Sequence, residues 1–429
     1  MPAETASPRD PRSRRRAKRI LLFSVFLDEL DFGVLLPILP ILFADPSSEF
    51  YLLDTAEQVA LGYVLLGLLR ATYALTQFAA APVLGQLADR WGRRKLILPS
   101  VGGSTAAYLL FGTGALLASI PLLFVARFVD GVTGGNVAIT QSTMADLTDG
   151  DKRAKGFGYY SAALSAGFVL GPLLGGVLSD PDIVSWFSPA VPFFLAAALS
   201  LVNIAIVFFA LPETLAERKE DRLDATRAFA NVRDAFHDRP RRTLYVTGLA
   251  FYLGFAFFTT FFNVFLIERL DFGTTDIGLF FTAIGIGFVL VETLLVERVK
   301  ERYGAERVVL VVLFGVAATI LATTLVQTTW QLYALVPFFA VFNGLARPNL
   351  TALVSKTTED RDQGRVLGIY ASLRSLGRGV PPILAGPLAA ATAPVWAVGT
   401  GGVLAGIAGG IYAVLGRRDA KRAAREEAA

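Results

Sequence analysis

The chain has no cysteine, a single histidine and no G-x-x-x-x-G-K-[ST] string anywhere in its 429 residues. The first absence excludes disulfide staples and thiolate metal sites. The second leaves His237 alone in a polar stretch, where it reads as a solvated surface residue. With no metal-ligand cluster and no nucleophile–base pair, an embedded enzyme has little to work with. The third removes a phosphate-cradling loop of the ATPase type, so any work has to be drawn from a gradient. Charge is also scarce: Asp, Glu, Lys and Arg make up 18% of the chain, against about 25% in an ordinary soluble one.

What fills the space is hydrocarbon. Hydrophobic residues make up 54% of the chain, and they come in blocks of about 20 or more, the length that crosses roughly 30 Å of bilayer core. Twelve spans are predicted at roughly 20–44, 60–84, 95–117, 121–146, 156–179, 188–212, 244–266, 277–296, 307–327, 331–354, 366–390 and 393–416. Of the 40 Lys and Arg, 34 fall in the two tails, the central segment and the even-numbered loops, while the odd-numbered loops hold only Arg269. That bias places both termini in the cytoplasm of a multi-pass protein of the plasma membrane. It also accounts for the net charge of +4 without nucleic acid. The basic run from Arg12 to Arg19 leads straight into a full-length span, which reads as a retained first helix. The domains expected are a basic tail (1–19), a six-helix bundle (20–212), a cytoplasmic linker (213–243), a second six-helix bundle (244–416) and a short tail (417–429). Residues 223–236 of the linker have the spacing of an amphipathic helix.

The two halves read as copies. Leu87-Ala88-Asp89-Arg90-Trp91-Gly92 corresponds to Val299-Lys300-Glu301-Arg302-Tyr303-Gly304, Asp130-Gly131 to Asn343-Gly344, and Asn136 to Asn349. Gly167, Pro172 and Gly176 match Gly377, Pro382 and Gly386 at a constant offset of 210. A six-helix unit repeated about an axis along the membrane normal holds its substrate between the halves near the midplane.

Between the second and third spans stands Gly85-Gln86-Leu87-Ala88-Asp89-Arg90-Trp91-Gly92-Arg93-Arg94, a charge cluster that has to sit at a membrane face. It resembles the corresponding loop of major facilitator superfamily transporters, and of their drug:proton antiporters in particular. The fold this implies is an all-α polytopic membrane protein with 12 transmembrane helices in two pseudo-symmetric six-helix bundles. In that family the loop is a gate latch. The resemblance assigns it to Gly85, Asp89, Arg90, Gly92 and Arg93, with Asp146 as the partner acid and Arg153 as a candidate fourth member. Gly167-Phe168-Val169-Leu170-Gly171-Pro172-Leu173-Leu174-Gly175-Gly176 resembles the antiporter motif of family exporters. Glycines four apart let a neighbouring helix approach closely; the exporting direction comes from the resemblance alone.

Charges inside spans are functional candidates by default. Span one carries Asp28, Glu29 and Asp31, and Leu27-Asp28-x-x-x-x-Gly33-x-x-x-Pro37-x-x-Pro40 looks like the first helix of tetracycline-type exporters, with Asp28 at the acid position. A carboxylate out of water is a natural proton carrier. Span four adds Arg127 and Asp130, three apart, in a string that resembles the family's Arg-x-x-x-Gly motif, whose Arg is implicated in proton coupling. Asp28, Asp31, Arg127 and Asp130 are therefore the proton-coupling candidates. Arg70, Arg347, Arg374 and Arg378 are further in-span cations that either pair with the acids as structural glue or recognise an anionic group; with Asn136, Asn263 and Asn343 they are the cavity candidates. Tetracycline exporters as a family also carry acids in helices three and nine; spans 95–117 and 307–327 have none, which argues against tetracycline itself.

The function expected is proton-coupled export of small amphiphilic or drug-like organic molecules by alternating access. The alternative is an organic-anion symporter or facilitator that uses the intramembrane arginines. The partners expected are a small-molecule substrate, protons and the lipid bilayer, with no nucleic acid, no cofactor beyond the proton gradient, and a monomeric protein.

Overall fold

In hydrocarbon every backbone N–H and C=O has to be satisfied within the protein, and a helix does this within its own segment. The computed structural model describes residues 11–148, 153–215, 218, 223–357 and 363–416, and no strand occurs among them. The first half consists of α1 (Pro11–Phe43), α2 (Val59–Trp91), α3 (Arg93–Leu116), α4 (Ile120–Thr133), α5 (Asn136–Leu147), α6 (Arg153–Val177) and α7 (Val191–Ala210). The short α8 (Arg227–His237) follows. Then come α9 (Arg242–Leu270), α10 (Thr274–Leu294), α11 (Val296–Tyr303), α12 (Ala305–Thr323), α13 (Thr329–Lys356), α14 (Gln363–Ala391) and α15 (Pro394–Ile411), closed by a π-helical turn at Tyr412–Gly416.

Counting α4 with α5, the described residues hold twelve segments of membrane-crossing length, of which ten qualify on length and composition alone. The two that fall short are α1, diluted by Asp28, Glu29 and Asp31, and α14, diluted by Arg374, Arg378 and three prolines. In these two helices charge is dense enough to set them apart, although Arg70, Arg127, Asp130 and Arg347 also lie inside crossings. The described part of the first helix already includes Pro11, so the basic residues from Arg12 onward belong to it.

Span four differs from the uninterrupted helix that hydropathy predicts. It breaks at Gly134-Gly135, where a side chain would meet α2: a Cβ on Gly134 would lie 3.0 Å from the Tyr73 hydroxyl, and one on Gly135 2.9 Å from Ala81 Cα. Gln77 Nε2 donates to the Gly134 carbonyl at 2.9 Å, satisfying backbone that the break leaves open. The interruption puts Asn136 at the first turn of α5.

Contacts divide the chain into two compact units. Unit one is Met1–Asp54, Thr72–Arg227 and Gly273–Thr282; unit two is Thr55–Ala71, Ala228–Phe272 and Ala283–Ala429. Each unit borrows the start of one helix from the other half of the sequence, and glycine permits it. In unit two a Cβ on Gly67 of α2 would sit 2.3 Å from the Pro382 carbonyl, and one on Gly386 2.8 Å from the Tyr63 carbonyl. In unit one a Cβ on Gly278 of α10 would sit 2.5 Å from the Pro172 carbonyl, and one on Gly176 2.6 Å from the Thr274 carbonyl. The internal repeat read from sequence therefore recurs as the same backbone contact in each unit.

Candidate functional site

The loop between α2 and α3 turns at Gly92, whose φ of 114° and ψ of 148° belong to a region open essentially to glycine alone. This turn starts a new helix at Arg93 and buries its side chain, 9% exposed. Arg93 Nη1 pairs with Asp89 at 2.6 Å and its Nε with Asp146 of α5 at 3.2 Å. Three of the six latch residues, Asp89, Arg93 and Asp146, are thus brought together. Arg90 is exposed, and a Cβ on Gly85 would meet nothing within 4 Å. The side chain of Arg153 lies outside the described residues. Arg94 Nη2 donates to the Phe208 carbonyl of α7.

Two members of this site were not foreseen. Glu213, just past α7, accepts from the backbone N–H of Arg93 at 2.8 Å and from those of Thr214 and Leu215 at 3.0 and 3.1 Å. It caps a donor that the turn at Gly92 leaves open. Gln86 clasps the linker backbone: its Nε2 donates to the Asp224 carbonyl at 3.1 Å and its Oε1 accepts from the Asp224 N–H at 2.8 Å. The side chain of Asp224 accepts from Thr226 Oγ1 at 2.7 Å and from its N–H at 2.9 Å, which holds that carboxyl below the usual carboxylate range. In unit two, α8 is docked rather than floating: Ala228 and Ala235 are buried, Asn231 Nδ2 donates to Ser372 Oγ at 3.0 Å, and Asp234 faces Arg365 at 3.4 Å. Gly92→Ala is expected to lower thermal stability in detergent by about 1–3 kcal/mol, because the new Cβ would also lie 2.3 Å from Glu213 Oε2. An unchanged Tm would show that the turn relaxes without cost.

Deeper in unit one lies a buried ionic cluster. Arg127 of α4 pairs with Asp130 at 3.0 Å, one turn on, and reaches Asp31 of α1 at 3.8 Å. All three are at most 5% exposed. The rings of Phe111 and Tyr73 lie 5.1 and 5.5 Å from the guanidinium carbon, so aromatic faces cover the cation where carboxylates do not. Among the described residues, Asp31 Oδ1, Arg127 Nε and Arg127 Nη2 find no hydrogen-bond partner. Nearby, Asn136 Nδ2 donates to Asp28 at 3.1 Å. One guanidinium thus faces two carboxylates in a dry site, and a third carboxylate is held by an amide.

α1 can come this close because α6 presents its glycines to it. A Cβ on Gly167, Gly171 or Gly175 would lie 2.5, 2.4 or 2.5 Å from the carbonyls of Phe26, Leu30 and Val34 respectively. Gly33 of α1 returns the contact: its Cβ would fall 2.6 Å from Pro172 Cδ. The motif therefore splits into two faces, with Gly176 directed at α10.

The cavity candidates of unit two meet different partners. Arg70 donates to the main-chain carbonyl of Thr259 in α9, which removes it as a described partner of the span-one acids. Arg347 and Arg378 are exposed and Arg374 is half-buried. Asn343 is buried and its Nδ2 bonds back one turn to the Phe339 carbonyl at 3.1 Å, and Asn263 is fully buried in α9.

A family model described as the Major Facilitator Superfamily matches residues 21–382 and 275–429. The class C tetracycline resistance protein of Escherichia coli is 30% identical over 393 residues, spanning 88% of this chain and 90% of its own length. Multidrug resistance protein 2 of Bacillus subtilis (strain 168) is 27% identical over 377 residues, 86% of this chain and 88% of its own. Among solved structures, the human organic anion transporter MFSD10 (TETRAN) has a TM-score of 0.70 at 21% identity, covering 94% of this chain and 100% of that one, a likeness of fold.

Proposed function

The chain belongs to the major facilitator superfamily of membrane transporters, and we propose that it exports small amphiphilic organic molecules in exchange for protons by alternating access. The observation that carries the coupling is the charge balance around Arg127. Asp31 and Asp130 together bring one negative charge more than the guanidinium neutralises. An uncompensated buried charge is costly, and a proton removes it. Proton arrival at Asp31 would release Arg127 to Asp130 alone and free α1 to shift along the glycine face of α6. Asp28, held by Asn136 rather than by a cation, is a second landing place for the proton. At the loop end, Asp89, Arg93 and Asp146 would act as a latch that closes in one state and opens in the other.

The direction of transport is supported by the glycine face of α6 and by relatives named for tetracycline and multidrug resistance. The Lys and Arg bias supports a plasma-membrane protein with both tails and the linker in the cytoplasm, and a monomer suffices because both units lie in one chain. The test uses proteoliposomes with a pH dye inside and an imposed proton gradient, challenged with lipophilic cations and organic anions. Substrate-dependent proton flux is the expected result. Substrate exchange without proton movement would replace the antiporter by a facilitator, and no exchange of any compound would point to a scaffold or receptor.

A further inference from the structure

The arginines of unit two have no role in this coupling scheme, and their surroundings differ from that of Arg127. Arg347 lies nine residues before Lys356 at the end of α13, and Arg374 eleven after Gln363 at the start of α14. At 1.5 Å per residue each is about 14–16 Å along its helix from that end, within hydrocarbon depth. A guanidinium at such depth faces protein or a water-filled cavity and not lipid tails. Arg347 is exposed and Arg374 half-buried, so the face of α13 and α14 that carries them borders water.

Neither guanidinium has a carboxylate within ion-pair distance among the described residues. Arg347 instead stands over an aromatic ring, its guanidinium carbon 5.0 Å from the Phe255 centroid. Phe255 is stacked with Phe251 at 6.0 Å and tilted against Phe258 at 6.1 Å, one turn of α9 on either side. Tyr370, one turn before Arg374 on α14, sits edge-on to Tyr252 of the same α9 at 6.2 Å, so both arginine-bearing helices meet the 252–255 turn of α9. Two uncompensated cations thus share one wet face with a half-buried ring at full contact distance. Arg70, bonded to a carbonyl, and Arg127, enclosed by carboxylates, lack this arrangement.

We propose that this face of unit two is an anion-recognition site for an aromatic substrate, with Arg347 and Arg374 taking the anionic group and Phe255 the ring. A guanidinium forks onto a carboxylate, sulfonate or phosphate and stacks on a ring at once, which a lysine does not do. The inference rests on the transport reading above for treating this face as one that meets substrate, and it narrows that substrate to an aromatic anion. It does not depend on proton coupling.

The test uses the full-length protein in proteoliposomes and a matched pair of probes, naphthalene-2-sulfonate and 2-naphthyltrimethylammonium, neither of which crosses lipid as a neutral species. Exchange of labelled probe is measured with no proton gradient. The sulfonate is expected to exchange, with half-saturation raised at least about tenfold by R347Q or R374Q, as loss of a charged hydrogen bond implies. R347K should recover part of the loss. F255L, which keeps an apolar side chain and removes the π-face, should raise half-saturation for the sulfonate and reports on the site even if an arginine variant fails to fold. Exchange of the ammonium probe alone, or sulfonate exchange indifferent to R374Q and F255L, would overturn the proposal. Sulfonate exchange that moves no protons in the dye assay would leave the site standing and remove the antiporter reading. Proton flux with the ammonium alone would do the reverse.

Discussion

Asp31→Asn is expected to abolish accumulation driven by a pH gradient while leaving exchange of substrate across the membrane intact. A gradient of two pH units supplies about 2.7 kcal/mol per proton, enough to concentrate a one-proton substrate about 100-fold. The variant should bring that ratio to about one. Asparagine leaves Arg127 paired with Asp130 at 3.0 Å and returns the cluster to neutrality. The Tm of D31N should therefore stay level or rise, because an uncompensated buried charge has been deleted. Arg127→Leu tests the same arithmetic from the other side. It leaves Asp31 and Asp130 facing each other, and breaking a buried pair by removing one partner costs about 3–5 kcal/mol. Accumulation that survives in D31N would assign coupling to Asp28, whose carboxylate accepts from Asn136. The doubly substituted D28N/D31N protein should then show no coupling at all.

The membrane class and the number of crossings were legible because apolar blocks of fixed length leave few alternatives. The interior of the crossings was less so. The paired glycines of Thr133-Gly134-Gly135 are a local breaker signal that a span-length hydropathy window averages away, and the nearness of α2, which leaves no room for a side chain at either glycine, is not recorded in any local pattern. Asp89 and Arg93 were legible as part of a charge cluster at a membrane face, while their grouping with Asp146 entered through family likeness. Glu213 gave no signal, because its partner is a backbone N–H that becomes available only when Gly92 turns. Gln86 was missed for the same reason: both of its linker bonds are to main chain. The arginines were visible as expensive residues, and sequence set Arg127 apart as a coupling candidate but treated Arg70, Arg347, Arg374 and Arg378 as one group. Their environments separate them into an enclosed Arg127, a carbonyl-bound Arg70, and the ring-stacked Arg347.

Apart from Arg127 in unit one and Glu292 in unit two, the charges inside the crossings also divide by unit. Asp28, Glu29, Asp31 and Asp130 belong to unit one, and Arg70, Arg347, Arg374 and Arg378 to unit two. A proton acceptor wants surplus negative charge and an anion site wants surplus positive charge, so one bundle copy suits each task. Duplication supplied two equivalent frames, seen in the paired glycine contacts of Gly67 with Pro382 and Gly278 with Pro172. On the proposed reading, divergence at a few in-span positions would be enough to separate the two chemistries.

The second large effect is expected at Gly171, and it is best read beside Gly85, since the same change should act in opposite directions. A Cβ on Gly171 would lie 2.4 Å from the Leu30 carbonyl and 2.8 Å from Gly33 Cα. All of these are backbone atoms, so no rotamer change relieves the clash, and α1 has to move away from α6. Overpacking of this kind costs about 1–3 kcal/mol. The functional loss should be larger than the stability loss, because α1 carries Asp28 and Asp31, and a shift of about an ångström alters a charge pair now 3.8 Å apart. Gly171→Ala should thus lower Tm and remove most pH-driven accumulation, with Gly175→Ala close behind, since its Cβ would meet the Val34 carbonyl at 2.5 Å. Gly85 lies inside α2 with open space around its Cα. Alanine there should raise stability by roughly 0.5–1 kcal/mol through helix propensity alone. If Gly171→Ala proved as benign as Gly85→Ala, the close approach of α1 to α6 would not be what holds the acids against Arg127. The glycine motif would then owe its place to something other than packing.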